Sequence, residues 1–306
     1  MINVNNLSKY YGKKCALDDI SFSVDKGEVV GFLGANGAGK TTTMNIICGY
    51  LSSGGGTVTV DGFDVLEQPD EVKRRIGYLP EHPPLYLDMT VYEYLDFVYD
   101  LKKIEMDKEK HIEQILKTVY IEDVQRRLIK NLSKGYRQRV GLAQAMLGDP
   151  PVLIFDEPTV GLDPKQIIEI RNLICELGKN HTVILSSHIL TEISAICSRV
   201  IILSNGSIAA EDTPERLSKT LAGNQYLLRI AGERDIIEQA LSNMDFVEKA
   251  EFAEDAEGEG FDFKISFADR PDARELLFYA LAERRLPILI LKEIEMSLEE
   301  IFLKFS

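Results

Sequence analysis

The order of patterns along the chain predicts an α/β fold in two domains. Short β-branched runs, such as Val152-Leu153-Ile154-Phe155, alternate with stretches of helical character up to about residue 217, as strands and helices do when they layer on one sheet. Most glycines, and every loop of the kind that grips phosphate, fall in that first part. From about residue 222 the order becomes strand, helix, two strands, helix, strand, a small α+β arrangement of the ferredoxin-like kind. The expected domains are therefore 1–217 and 222–306, with residues 218–224 as linker.

In chain order, residues 22–24 and 28–33 read as strands, and 38–50 as a helix opening directly after a glycine loop. A Ser-Gly turn then leads to the alternating strand 57–60 and a tight Asp61-Gly62 turn. Residues 90–119 read as mostly helical, with Thr90 as N-cap and Glu93 completing a capping box. Ser133 precedes an amphipathic helix to about Leu147, and 152–155 is a buried strand. Asp163 and Pro164 open another helix as N-cap and first residue. Residues 183–186 and 200–203 are strands. In the second domain the strands are 227–230, 247–252, 261–267 and 286–291. The helices there are 233–241, 272–283 and a final one at 297–304.

Composition narrows the function classes. The net charge of −14 opposes a general nucleic-acid binder, which needs a basic face. No run approaches the ~18 apolar residues of a membrane-spanning helix, and the first residues lack the apolar block of a signal peptide. A cytoplasmic location is the expectation. Cys15, Cys48, Cys175 and Cys197 form no CxxC pair, which suits structural thiols in a reducing compartment.

Gly34-Ala35-Asn36-Gly37-Ala38-Gly39-Lys40-Thr41 fits GxxxxGK[ST]. The glycines let the backbone turn tightly and aim N–H groups inward, and the following helix presents its positive end to the same anion. Lys40 adds a charge for the β and γ phosphates, and Thr41 a hydroxyl for Mg²⁺. The apolar run 152–155 ends in Asp156 and Glu157. Carboxylates at the C-terminal edge of a parallel strand sit where such sheets place ligands. Asp156 is the expected Mg²⁺ holder, and Glu157 the general base that polarises the attacking water.

Further landmarks follow in a fixed order. Leu132-Ser133-Lys134-Gly135-Tyr136 resembles the LSGGQ signature of ABC-family nucleotide-binding subunits. Gly161-Leu162-Asp163 resembles their D-loop, His188 their switch histidine, and Tyr11 the aromatic that stacks on adenine. Ile76-Gly77-Tyr78-Leu79-Pro80 resembles the lead-in to their Q-loop, which places Glu81 at the Q-loop position as a further Mg²⁺ ligand. The resemblance covers about residues 2–215. It implies a P-loop NTPase domain with a RecA-like core, an antiparallel β subdomain and a helical subdomain.

The resemblance also implies ATP and Mg²⁺ as cofactors. Phosphates would be held by Gly34, Asn36, Gly37, Ala38, Gly39, Lys40, Thr41 and Thr42. Ser133, Gly135 and Asp163 would complete the site across a head-to-tail homodimer, and Lys40, Glu157 and His188 would act in hydrolysis. Three positions depart from the usual pattern: Lys134 for Gly, Tyr136 for Gln and Glu81 for Gln. Lys134 adds a cation near the phosphate, and Glu81 lacks an N–H donor.

The layout resembles exporter engines encoded apart from their integral-membrane permease, including drug-export and gliding-motility types. The proline- and aromatic-rich segment 80–99 is the expected permease contact. The competing classes are a soluble ABC ATPase working on ribosomes or DNA, and an ATP-sensing regulatory module. The single engine without a long heptad run weighs against the first, and Glu157 against the second.

Overall fold

The computed structural model describes residues 1–187, 190–222, 225–253, 259–268 and 272–294. One compact unit spans Met1–Pro214, and a second begins at Glu215.

The first unit runs β1 (Ile2–Tyr11), β2 (Lys14–Val24), β3 (Val29–Leu33), α1 (Lys40–Ile47), β4 (Gly55–Val60), β5 (Phe63–Asp64), α2 (Pro69–Arg75) and β6 (Ile76–Leu79). It continues through α3 (Val91–Leu101), α4 (Lys108–Thr118), α5 (Lys134–Met146), β7 (Val152–Asp156), α6 (Pro164–Gly178), β8 (Thr182–Ser186), α7 (Leu190–Ile196), β9 (Arg199–Ser204) and β10 (Ser207–Asp212).

Two sheets organise this unit. An antiparallel sheet has the order β2-β1-β4-β5. A larger sheet has the order β10-β9-β3-β8-β7-β6, parallel throughout except for its edge strand β10. β7 and β8 are buried along their whole length, which explains why 152–155 reads as continuously apolar rather than alternating. The sheets share a core in which Phe22 and Phe32 meet edge to face, with ring centroids 5.1 Å apart. The expected α/β class, antiparallel subdomain and helical segments are all present.

Two local expectations change. The single helical stretch 90–119 is two helices, because the chain breaks at Lys103 (φ 52°) and Asp107 caps a new start through its bond from Lys110 N. The capping box at Thr90 and Glu93 forms as expected, with both reciprocal bonds. Residues 218–224 are not a plain linker: α8 (Pro214–Ala222) covers most of them. It has Pro at its first position, Glu215 in its first turn and Leu217 buried. The expected helix 297–304 lies outside the described residues.

The second unit continues with β11 (Gln225–Ile230), α9 (Arg234–Ser242), β12 (Val247–Phe252), β13 (Phe261–Phe267), α10 (Arg274–Glu283) and β14 (Ile288–Glu293). The strand order is β12-β13-β11-β14, every pair antiparallel. Leu228, Ile230, Phe263 and Ile265 pack on Ile237, Leu241, Leu277 and Leu281 of the two helices. This is the ferredoxin-like arrangement. On β11, Arg229, between Leu228 and Ile230 and so directed to the opposite face, makes a bidentate pair with Asp262 at 2.7 and 2.9 Å.

Candidate functional site

β3, β8, β7 and β6 are parallel neighbours, so the loops that follow them leave one edge of the sheet. The loop after β3 is the glycine-rich one. Gly37 and Gly39 have φ of 86° and 112°, which glycine adopts without a steric penalty. At Gly39 space is decisive as well: a Cβ there would fall 2.6 Å from Leu17 Cδ2 and 2.9 Å from Ala16 O. The backbone therefore closes tightly on β2, and α1 begins at Lys40. This is also why α1 starts two residues later than the sequence suggests.

Lys40 is buried, with its ammonium turned back across the loop. It donates to Gly34 O at 2.7 Å and lies 3.8 Å from Glu157 Oε1. One cation thus links the phosphate loop to the carboxylate pair at the end of β7. Thr41 and Asn36 are exposed, and Gly34, Ala38 and Gly39 are buried beneath them.

Asp156 and Glu157 are fixed from the neighbouring strand. In register, Asp156 pairs with Ser186, the last residue of β8. The Ser186 hydroxyl donates to Asp156 Oδ1 at 2.5 Å and accepts from Glu157 N at 2.9 Å. All three residues are buried. Glu157 has φ 49°, a conformation costly for a residue with a side chain. The hydroxyl helps hold that turn, so Ser186 orients both carboxylates. The sequence carries a signal for it, the Ser186-Ser187 pair closing the apolar run Val183-Ile184-Leu185, but that pattern alone does not say which strand end the hydroxyl will face. His188 lies outside the described residues.

Other expected site residues take their places separately. Tyr11 is half exposed at the tip of the β1–β2 hairpin, and Lys9 Nζ lies 5.7 Å from its ring centroid. The hairpin register sets Lys9 against Leu17, and Leu17 touches the phosphate loop at Gly39. Glu81 follows β6 by two residues, where Leu79 pairs with Phe155. It is half exposed, with Oε1 3.8 Å from His82 Nδ1. Among the described residues no group of three His, Cys, Asp or Glu side chains gathers around a cation-sized space.

Ser133 caps α5, accepting from Tyr136 N at 3.4 Å, and is exposed. Tyr136 turns aside, its hydroxyl 3.3 Å from Asp123 Oδ2. Asp163 caps α6 through Gln166 N at 2.9 Å. Cys48 and Cys197 are buried, and burial pushes both thiols up, which suits a structural role.

Comparison with known proteins agrees with this geometry. Residues 17–160 match the ABC transporter family. The chain is 39% identical over 226 residues to the ABC transporter ATP-binding protein NatA of Bacillus subtilis, covering 71% of this chain and 91% of that protein. It is 37% identical over 221 residues to the bacitracin transport ATP-binding protein BcrA of Bacillus licheniformis, covering 72% of each. A solved dimeric ATP-binding cassette in a post-hydrolysis state with ADP and Pi superposes with a TM-score of 0.64 at 27% identity, covering 70% of this chain and 98% of that one. No helix among the described residues is long and apolar enough to cross a membrane. With the phosphate loop, the paired carboxylates and these relatives in agreement, the chain belongs to the ABC transporter family as an ATP-binding subunit that hydrolyses ATP.

Proposed function

We propose that two identical copies of this chain pair head to tail on ATP and drive an exporter whose channel is a separate membrane permease. The observation that carries the engine is the buried cluster in which Lys40, Asp156, Ser186 and Glu157 meet at one sheet edge. Lys40 offsets phosphate charge, and the amides after Leu33 turn toward the same anion. Glu157, held by its backbone bond to Ser186, orients the attacking water.

The oxygen donors of Thr41, Asp156 and Glu81 suit a hard cation, and these residues would hold Mg²⁺. Bound there, Mg²⁺ would offset charge on the β and γ phosphate oxygens. Ser133, exposed at the cap of α5, and Gly135, buried just behind it, would close the partner's nucleotide, as Asp163 and its loop would from α6. Tyr11 would stack on the base and His188 would contact the γ phosphate. Asn36 and Thr42 would complete the phosphate grip.

The permease contact falls on the segment after β6. Tyr94 and Tyr99 are core residues there, but Tyr86 is 54%, Leu87 45% and Phe97 38% exposed. The Tyr86 ring lies 5.5 Å from that of Phe97, so the exposed groups form one aromatic patch. Such a patch suits a partner helix, and would hold the subunit on the inner face of the membrane. The relative named for bacitracin transport supports export. No nucleic-acid partner is expected. The region 222–306 is proposed as an accessory domain that steadies the pair or tunes its rate.

The test is co-purification from membranes. A polytopic membrane protein should accompany the tagged wild type, and Y86D/F97D should lose it while still binding ATP. Recovery with ribosomes or DNA alone would overturn the transport assignment.

A further inference from the structure

Two glycines near the site each lie under a long side chain from the opposite loop. A Cβ on Gly161 would fall 2.1 Å from Lys134 Nζ, 3.1 Å from its Cε and 3.4 Å from its Cδ. A Cβ on Gly135 would fall 2.6 Å from the Gln166 amide carbon and 2.6 Å from its oxygen. Lys134 belongs to the signature turn and lies on the loop that follows Glu157. Gln166 belongs to the first turn of α6, beyond that loop, and lies on the signature turn. The two contacts are reciprocal. One turn further along each helix, Arg139 of α5 pairs with Glu169 of α6, so the two helix starts are also tied behind the crossing.

The path back to the catalytic carboxylate is short. Val160 N donates to Glu157 O at 3.2 Å, and Leu162 N to Thr159 O at 3.2 Å. These overlapping turns join Glu157 to Gly161, with Asp163 capping α6 immediately after. A shift of the Glu157 backbone must therefore move Gly161 and the side chain packed over it. Glycine at position 134 would leave Gly161 without that cover.

We propose that Lys134 and Gln166 form a clasp that makes the signature turn and the loop after Glu157 move as one body. This rests on the head-to-tail pairing proposed above. In that pair Glu157 serves a subunit's own nucleotide while Ser133 faces the partner's. The clasp thus transmits the state of one nucleotide site to the other, and Lys134 and Gln166 are positioning residues rather than catalytic ones.

The test is the dependence of ATPase rate on ATP concentration in the full chain, for wild type, K134A, Q166A, the double variant and K134R. The Hill coefficient of wild type should approach about 2, the number of sites, and K134A and Q166A should each bring it toward about 1. The double variant should fall no further than the lower single one, because both residues belong to one device. K134R, which keeps a long stem over Gly161, should retain cooperativity. ATP affinity of the isolated subunit should not change, since the phosphate loop is untouched. A lowered melting temperature or rate with an unchanged Hill coefficient would mean the contacts are only structural, and would overturn the clasp. Failure of E157Q to pair on ATP in sedimentation would instead overturn the pairing itself, and the clasp with it.

Discussion

Ser186 carries two buried hydrogen bonds on one hydroxyl, and its removal should show how far the carboxylates of Asp156 and Glu157, with the catalytic role proposed for them, depend on it. In S186A, Asp156 loses a 2.5 Å bond and the Glu157 N–H loses its acceptor. A bond to a charged acceptor contributes about 1.5–3 kcal/mol, and an unsatisfied buried N–H costs about 1–3 kcal/mol. Because both effects converge on one turn, and partial relaxation offsets part of each, a net loss of about 3 kcal/mol in unfolding free energy is expected. Catalysis should suffer separately. Glu157 no longer has its backbone fixed at φ 49°, and a misplaced base should lower kcat by about 10–100-fold, or about 1.4–2.7 kcal/mol of barrier. KM for ATP should move little, because Lys40 and the phosphate loop stay in place. Steady-state ATPase and urea unfolding on the same preparation separate the two losses. S186T, which keeps the hydroxyl on a β-branched strand residue, should recover most of both. A kcat within about twofold of wild type and a stability change below about 0.5 kcal/mol in S186A would refute the role assigned to this hydroxyl.

Two further predictions concern the helical segment. His111 Nε2 accepts from Gly148 N at 2.9 Å and is buried, and burial holds its imidazole below the ordinary 6.5, with Asp149 opposing and Lys102 adding to the effect. The unfolded chain therefore takes up this proton first. Stability present above pH 6.5 is lost as pH falls through the lowered folded value. Urea unfolding between pH 7.5 and 5 should show a weaker pH dependence in H111N, which can still accept that N–H; an identical dependence would contradict the assignment. Gln138 Nε2 is buried without a hydrogen-bond partner among the described residues, so Q138L should leave the protein as stable or raise it by about 1 kcal/mol. A loss of that size would show that the amide nitrogen has a partner.

Much of the site is readable in the sequence because its parts are contiguous. The phosphate loop, the acidic end of β7, the cap at Ser133 and the cap at Asp163 each declare themselves within a few residues, through backbone geometry that tolerates few side chains. Ser186 and the clasp do not, because they depend on which strands and loops become neighbours. Asp156 meets Ser186 only through the β7–β8 register, and Lys134 meets Gly161 only once the fold brings the start of α5 to the loop before α6. β1 lacks an alternating apolar pattern for a local reason. Asn6 sits at φ 48° and the ladder to β2 shifts between Val4 and Leu7. Ile2, Val4 and Leu7 therefore all turn inward although their spacing is not alternating. The α8 helix is hidden by the polar composition of residues 214–222, although Leu217 is buried.

In the proposed cycle Glu157 acts on a nucleotide held by Lys40, and hydrolysis releases two copies from one another. Sedimentation of purified E157Q with and without Mg-ATP, beside its ATPase rate, addresses this most directly. The substitution should abolish turnover while the protein still binds ATP, and should convert monomer to a lasting dimer when nucleotide is added. Turnover at the wild-type rate in E157Q would contradict it.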